Sequence, residues 1–265
     1  MNTYILNIMK IAIIGAGNMG GAIARGMAKG STVPTGAITV SNPSQGKLDA
    51  LKAEFPALQT TTDNALASED ADMIILAVKP WLVRDVIREM HIRKETVVVS
   101  VAAGICLGTI ADWIGNMKQP LFRVIPNTAI SELQSMTLIC GSCCSDGQRQ
   151  LLQDIFDEMG ATLFLPEEKM AAATAMTSCG IAYALKYIQA AMQAGIELGI
   201  RPKDGMRMVA QSLKGAAELI LENDTHPAVE IDKVCTPGGI TIRGINELEH
   251  AGFSSAVIKA VKASV

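Results

Sequence analysis

Short apolar runs, each bounded by glycine, proline or polar residues, dominate the first part of the chain. Lys10-Ile-Ala-Ile-Ile14, Ala37-Ile-Thr-Val40, Asp72-Met-Ile-Ile-Leu-Ala-Val78, Thr96-Val-Val-Val-Ser-Val101 and Leu121-Phe-Arg-Val-Ile125 read as buried strands. Thr137 to Cys140 and Thr162 to Leu165 read as two more. A helix is expected from Asn18 to Lys29, and helical segments separate several later strands. Alternation of this kind implies an α/β domain with a mostly parallel, doubly wound sheet.

The pattern changes after Leu165. Pro166-Glu-Glu-Lys169 suits a helix start, with proline in the first turn and acids at the positive end of the dipole. From Met170 to Ile196 the only charged residue is Lys186. Met170, Thr174, Thr177, Ile181, Leu185, Ile188 and Met192 recur at helical spacing, and alanine fills most of the rest. This predicts one long helix without a polar face, buried on several sides and in part by a second subunit. Thr174, Thr177, Ser178, Gln189, Gln193 and Lys186 weigh against a membrane span. Further helices are expected from Lys203 to Asn223, from Thr241 to His250 and near the C-terminus. With no strand signal beyond Leu165, the expected division is a nucleotide-binding domain over 1–165 and an all-α domain over 166–265.

Composition adjusts this picture only a little. The 265 residues are 49% hydrophobic, 18% charged and 4% aromatic, with a net charge of −3. The core is therefore aliphatic, and the low charged fraction again points to surface covered by a partner subunit. A weakly acidic chain without a basic block does not suit nucleic acid or an anionic membrane. The N-terminal MNTYILNIMK is too short and too weakly basic for a secretory signal, and the residues ahead of Met9, an alternative start, read as a short extension. Cys106, Cys140, Cys143, Cys144, Cys179 and Cys235 include one C-x-x-C spacing. No second pair accompanies it, and His91, His226 and His250 lie far off in sequence, so reduced cysteines in a cytoplasmic protein are expected, with no metal site.

Candidate chemistry lies in two glycine loops. Gly15-Ala16-Gly17-Asn18-Met19-Gly20 fits G-x-G-x-x-G and has the context that gives the pattern meaning, after a strand and opening a helix. Gly15 permits the tight turn, Gly17 lets the backbone approach a pyrophosphate, and Gly20 allows close packing of helix on strand. The helix N-terminus then offers amide donors to the phosphates. An NAD-binding unit commonly carries a carboxylate at the end of its second strand. Here that place reads Val40-Ser41-Asn42-Pro43-Ser44, with Lys47 nearby. A carboxylate would repel a 2′-phosphate, whereas these side chains can donate to one, so NADP(H) is expected over NAD(H).

The second loop, Thr236-Pro237-Gly238-Gly239-Ile240-Thr241, is expected to expose amide N–H groups between two hydroxyls at a helix start. That arrangement suits a small carboxylate. An ordinary capping turn, with Thr241 as cap, suits the same residues equally well.

The chain resembles the pyrroline-5-carboxylate reductase family. The resemblance is carried by Val234-Cys-Thr-Pro-Gly-Gly-Ile-Thr-Ile242, Glu247-Leu-Glu249 and Gly252-Phe253. Earlier matches occur in order: Gly15 to Gly20, Ala77-Val-Lys-Pro80, Ser100-Val-Ala-Ala-Gly104, Arg123-Val-Ile-Pro-Asn-Thr128, Gly180 with Ala182-Tyr183, and His226-Pro227. It implies a Rossmann-like domain followed by an all-α dimerisation domain that interlocks with another subunit, as a homodimer or larger homo-oligomer. It also implies reduction of 1-pyrroline-5-carboxylate to L-proline by NAD(P)H. Carried over by position, Ile14 to Gly20, Ser41, Asn42, Asn64, Ala77, Val78, Lys79 and Pro80 match cofactor-contacting residues. Thr236, Gly238, Gly239, Ile240 and Thr241 match substrate-binding residues.

Two departures bear on substrate choice. Thr177-Ser-Cys-Gly-Ile-Ala-Tyr183 stands where the family has Ser-Gly-Ser-Gly-Pro-Ala-Tyr, and Ala129 stands where it has proline. The mechanism expected is hydride transfer to a protonated cyclic imine. Backbone N–H groups of Gly239 and Ile240 hold the carboxylate with the Thr236 hydroxyl, and the Thr241 hydroxyl bonds the ring nitrogen. No acid or histidine is required. Lys186 lacks an asparagine four residues on and reads as structural, and His226 reads as a loop cap. The alternatives are a reductase of another small imine or β-hydroxy acid, and a nucleotide-binding regulatory module without turnover.

Overall fold

The computed structural model describes residues 9–265, so the short extension expected over residues 1–8 lies outside the described residues. Eight strands form one sheet: β1 (Ile11–Ile14), β2 (Ile38–Ser41), β3 (Gln59–Thr61), β4 (Met73–Leu76), β5 (Val97–Ser100), β6 (Leu121–Ile125), β7 (Ser135–Ser142) and β8 (Gly160–Phe164). Their order across the sheet is β3-β2-β1-β4-β5-β6-β7-β8. Among the described residues only the β6–β7 pair is antiparallel, with Arg123 opposite Cys140. The first six strands therefore have the 3-2-1-4-5-6 order of dinucleotide-binding sheets, and their carboxyl ends share one edge. The direction of winding reverses between β1 and β4, where Ile11 pairs with Ile38 on one side and Met73 on the other.

The sheet is buried on both faces, which explains why its strands read as continuous apolar runs rather than alternations. Ile11, Ile13, Val97, Val99, Phe122 and Val124 pack on one face. Against them lie α1 (Asn18–Lys29), α2 (Gln45–Glu54) and α6 (Asp146–Asp157), through Ile23, Met27, Leu48, Leu51, Leu152 and Phe156. Ala12, Ile14, Ile74, Leu76, Val98 and Leu121 pack on the other. Their cover comes from α3 (Asn64–Ser68), α4 (Val83–Glu89), α5 (Leu107–Ile114) and α7 (Met170–Thr177).

The polypeptide divides into two compact units after Ser178. Helix α7 was expected to open the helical domain; in the structure Met170 is fully buried in the core of the first unit. The long helix expected over 170–196 is divided into α7, ending at Thr177, and α8 (Gly180–Glu197), although Ser178 and Cys179 between them keep right-handed helical dihedrals. Thr174 and Thr177 turn their hydroxyls back onto the carbonyls of Met170 and Ala173, and the Ser178 hydroxyl donates to the Pro126 carbonyl at 2.8 Å. Hydroxyls bonding backward in this way bend helices even where the apolar periodicity runs on.

The second unit contains α8, α9 (Pro202–Asn223), α10 (Pro227–Val234), α11 (Ile240–His250) and α12 (Phe253–Lys262). The Tyr183 hydroxyl ties α8 to α12 through the Ala260 carbonyl and Ser264 Oγ. Of all the residues in these helices only Gly205 is buried. Leu185, Met208, Leu221 and Ile258 are each more than half exposed. No helix among the described residues is long and apolar enough to cross a membrane.

Candidate active site

The first glycine loop runs from β1 into α1. Gly15 has φ +109°, and a Cβ there would stand 2.6 Å from the Ala77 carbonyl oxygen. Gly20 is more constrained still, since its Cβ would stand 1.9 Å from the Gly15 carbonyl oxygen. Gly17 has open space where a Cβ would project. These are the three roles expected of the motif: a left-handed turn, a bare approach and a close packing. Gly17 caps α1 with no side-chain hydrogen bond, and the first turn carries no acid, so its amides face outward without a competing carboxylate.

Asparagine Asn42 holds this loop in place. It is 7% exposed, its Oδ1 accepts the Ala16 N–H at 3.0 Å, and its Nδ2 donates to the Ser44 carbonyl. Beside it the fully buried Ser41 gives its hydroxyl to Asn64 Oδ1 at 2.6 Å, while Asn64 Nδ2 donates to Glu89 at 2.7 Å. Ser41, Asn42 and Asn64, the residues expected to meet the cofactor at this edge, thus lie beside the glycine loop, with Asn42 bonded to backbone, Ser41 to Asn64, and Asn64 also to the Glu89 carboxylate. The exposed groups left at this edge for a 2′-phosphate are Ser44, which caps α2 without using its hydroxyl, and Lys47. The buttressing role of Asn42 escaped the sequence reading. Its one signal is a hydrogen-bonding side chain directly after a buried strand.

Ala77 to Pro80 close the other side. The Ala77 N–H bonds the Ile14 carbonyl at 2.8 Å, so this segment runs against the glycine loop at the point where the sheet reverses direction. Ala77, Val78 and Pro80 are half-buried, and Lys79 is exposed. Ligands of open α/β sheets bind in the crevice at such a point. The residues present fit a dinucleotide there. Ile14 to Gly20 and Ala77 to Pro80 come together, with an uncapped helix terminus for the pyrophosphate and bare backbone at Gly17.

The second glycine loop precedes α11. The Gly239 N–H bonds the Thr236 carbonyl at 2.9 Å, and Gly238 has φ +73°, closing a tight turn over Pro237 and Gly238. A Cβ on Gly239 would stand 2.8 Å from Thr236 Oγ1. One expectation is corrected here. The Gly239 N–H is engaged inside the turn, so the amide donors left for an anion begin at Ile240 and continue into the first turn of α11. Gly239 caps that helix with no side-chain hydrogen bond and no acid follows, so Thr241 does not act as the cap. Thr236, Gly238, Ile240 and Thr241 are exposed.

The remaining candidates make local contacts. Lys186 is exposed and donates to Gln189 Oε1 at 2.9 Å. His226 Nδ1 accepts the Ala228 N–H, capping α10. Cys140 and Cys144 pack on opposite faces of the sheet, and burial pushes each thiol up to about 11. No group of metal-ligating side chains occurs among the described residues.

Residues 167–265 match the family model described as pyrroline-5-carboxylate reductase dimerisation, and residues 10–104 match one described as NADP oxidoreductase coenzyme F420-dependent. The chain is 34% identical to pyrroline-5-carboxylate reductase 2 of Dictyostelium discoideum, over 98% of this chain and 92% of the relative. It is 35% identical to pyrroline-5-carboxylate reductase 1 of the same organism over 96% of this chain, but spans only 48% of that relative's length. Among solved structures, Plasmodium falciparum pyrroline carboxylate reductase with NADP bound superposes with a TM-score of 0.87 at 25% identity, covering 98% of this chain and 96% of that one.

Proposed function

The chain belongs to the pyrroline-5-carboxylate reductase family, and from that premise we infer that it reduces 1-pyrroline-5-carboxylate to L-proline, the last step of proline biosynthesis. It is an NADP(H)-dependent oxidoreductase acting on a CH–NH bond. NADP(H), when bound, supplies the hydride.

The protein's own part is orientation and electrostatics. The Gly15–Gly20 loop and Ala77–Pro80 hold the dinucleotide, with Ser44 and Lys47 favouring the 2′-phosphate over NAD(H). Amide N–H groups from Ile240 onward in α11, assisted by the Thr236 hydroxyl, hold the substrate carboxylate. The Thr241 hydroxyl bonds the ring nitrogen and steadies its proton. A protonated imine is already an electrophile, so no strongly shifted acid or base is needed and positioning supplies the rate. The observation that carries this reading is the uncapped, acid-free helix N-terminus after Thr236–Gly239, a site for a carboxylate on a chain whose other glycine loop suits a dinucleotide.

Homo-oligomerisation follows from family membership. We place its interface on the C-terminal helices, functionally residues 166–265, as a homodimer or a larger assembly of a cytoplasmic enzyme. The apolar side chains that α8 to α12 leave uncovered support that placement.

The test is oxidation of NADPH by purified protein with 1-pyrroline-5-carboxylate, beside six-membered cyclic imines, with reduction of NADP⁺ by β-hydroxy acids assayed in parallel. Turnover fastest with pyrroline-5-carboxylate is expected. A faster rate with another imine would assign Ile181 and Ala129 to a changed specificity. NADPH binding with no turnover of any imine would mark a regulatory module.

A further inference from the structure

Arg123 is the anomaly of the first unit. It lies on β6 among apolar side chains of the sheet face that carries Leu121 and Ile125, and its side chain is only 12% exposed. Its Nε is the one buried side-chain nitrogen or oxygen among the described residues without a hydrogen-bond partner. A buried guanidinium needs a compensating charge, and an unsatisfied donor on it calls for a reason. Its carboxylate partner is Glu167, with Oε1 3.6 Å from Nη1. That distance is loose because the same oxygen is engaged elsewhere, accepting the N–H of Leu107, first residue of α5, at 2.8 Å.

The shared oxygen is informative because of what it anchors. Leu107 ends the loop Val101–Cys106 that leaves the carboxyl end of β5. The start of that loop is fixed by the sheet: Ser100 pairs with Arg123, Val101 N–H bonds the Leu76 carbonyl, and Ala102 N–H bonds Ser100 Oγ. Its far end is fixed by Glu167. Between them lie exposed Ala103 and Gly104, the latter at φ +77° with open space around it. The neighbouring strand is β4, whose end Ala77–Pro80 forms one wall of the cofactor crevice. Glu167 itself follows β8 and precedes α7, and the Ser178 hydroxyl fastens the far end of that helix to the Pro126 carbonyl after β6. One carboxylate thus sets the loop beside the crevice relative to the segment leading into the second unit.

We propose that Glu167 is a positioning residue for the cofactor, holding the Val101–Cys106 loop in place through the Leu107 amide. This rests on the assignment of the crevice to NADP(H). The ion pair with Arg123 maintains stability, whereas the amide contact maintains affinity, and substitutions separate the two.

The experiment compares E167Q, E167A and R123M/E167A in full-length protein, reading Tm and the KM for NADPH together. E167Q keeps an acceptor for Leu107 but loses the charge, so Tm falls while KM stays within about twofold of wild type. E167A loses both, and KM rises about tenfold, the size expected of one lost hydrogen bond. R123M/E167A removes the stranded charge, so Tm recovers while KM remains raised; it also supplies the comparison if E167A does not fold. A KM unchanged without the carboxylate, or one that follows Tm across the variants, overturns the proposal. Wild-type protein that fails to bind NADPH would overturn the cofactor assignment instead, a distinct outcome.

Discussion

On the proposed mechanism, the single hydroxyl of Thr241 does what many enzymes assign to an acid. It is exposed, one residue into α11, where amide donors and helix dipole already favour an anion. Thr241→Ala should lower kcat by roughly ten- to a thousandfold, the range for loss of one well-placed transition-state contact, and Thr241→Ser should restore most of it. Steady-state rates with saturating NADPH check this, and wild-type turnover in the alanine variant would remove Thr241 from the mechanism. Asn42 makes the complementary case, a residue that supports the glycine loop and is proposed to act on the cofactor through it. Asn42→Ala strands the Ala16 amide in a buried position. The KM for NADPH should rise about tenfold, in line with roughly 1.4 kcal/mol for an unmade buried hydrogen bond, with kcat at saturation little changed. An unaltered KM would mean that the glycine loop holds its shape alone.

Elements were legible in the sequence wherever burial is one-sided or complete, and illegible where a few polar contacts decide the outcome. Helix α1 and strand β6 have their expected bounds, because glycine and apolar runs leave little choice there. Strand β3, Gln59-Thr-Thr61, was not expected, since an edge strand without aliphatic residues carries no signal. Helix α10 was not expected either: it has only 8 residues, too few for an apolar period to stand out, although the proline at its start suits a first turn. The division at Ser178–Cys179 leaves no mark on the apolar periodicity, since both residues keep helical dihedrals. At the second glycine loop the chemistry was readable but the donors were not, since the engagement of the Gly239 N–H inside its turn depends on backbone geometry. A loop anchor makes a pH-dependent claim at the same scale. Burial works to raise the Glu158 carboxyl, but hydrogen bonds from the Ser31 hydroxyl and the Thr32 and Ser31 amides outweigh it and hold it below its ordinary 4.5. A depressed carboxyl stabilises the fold fully above that value, and the contribution is lost as pH falls through its folded value. The Tm difference between wild type and Glu158→Gln should therefore shrink as pH drops from 7 toward 3. A difference that stays constant would show that the charge has no part in anchoring the loop.

At the scale of the whole molecule, the two units differ in kind. The first buries its own core on both faces of the sheet, whereas the helices of the second leave Leu185, Met208, Leu221 and Ile258 more than half exposed. Side chains of this kind bury about 25 cal/mol per Å² when covered, so the second unit is expected to be stable only in an assembly. Sedimentation should give a mass of at least two chains, with activity falling on dilution into monomer. An active monomer would contradict this. The proposed reaction asks more of the assembly, since it requires the glycine loop of the first unit and the turn before α11 in the second to act on one substrate. A crystal structure with NADP⁺ and L-proline bound tests that claim most directly. The account predicts the proline carboxylate on the first-turn amides of α11, its ring nitrogen at Thr241 Oγ1 and its ring against the nicotinamide; proline bound elsewhere, with the Thr236–Thr241 turn empty, would contradict it.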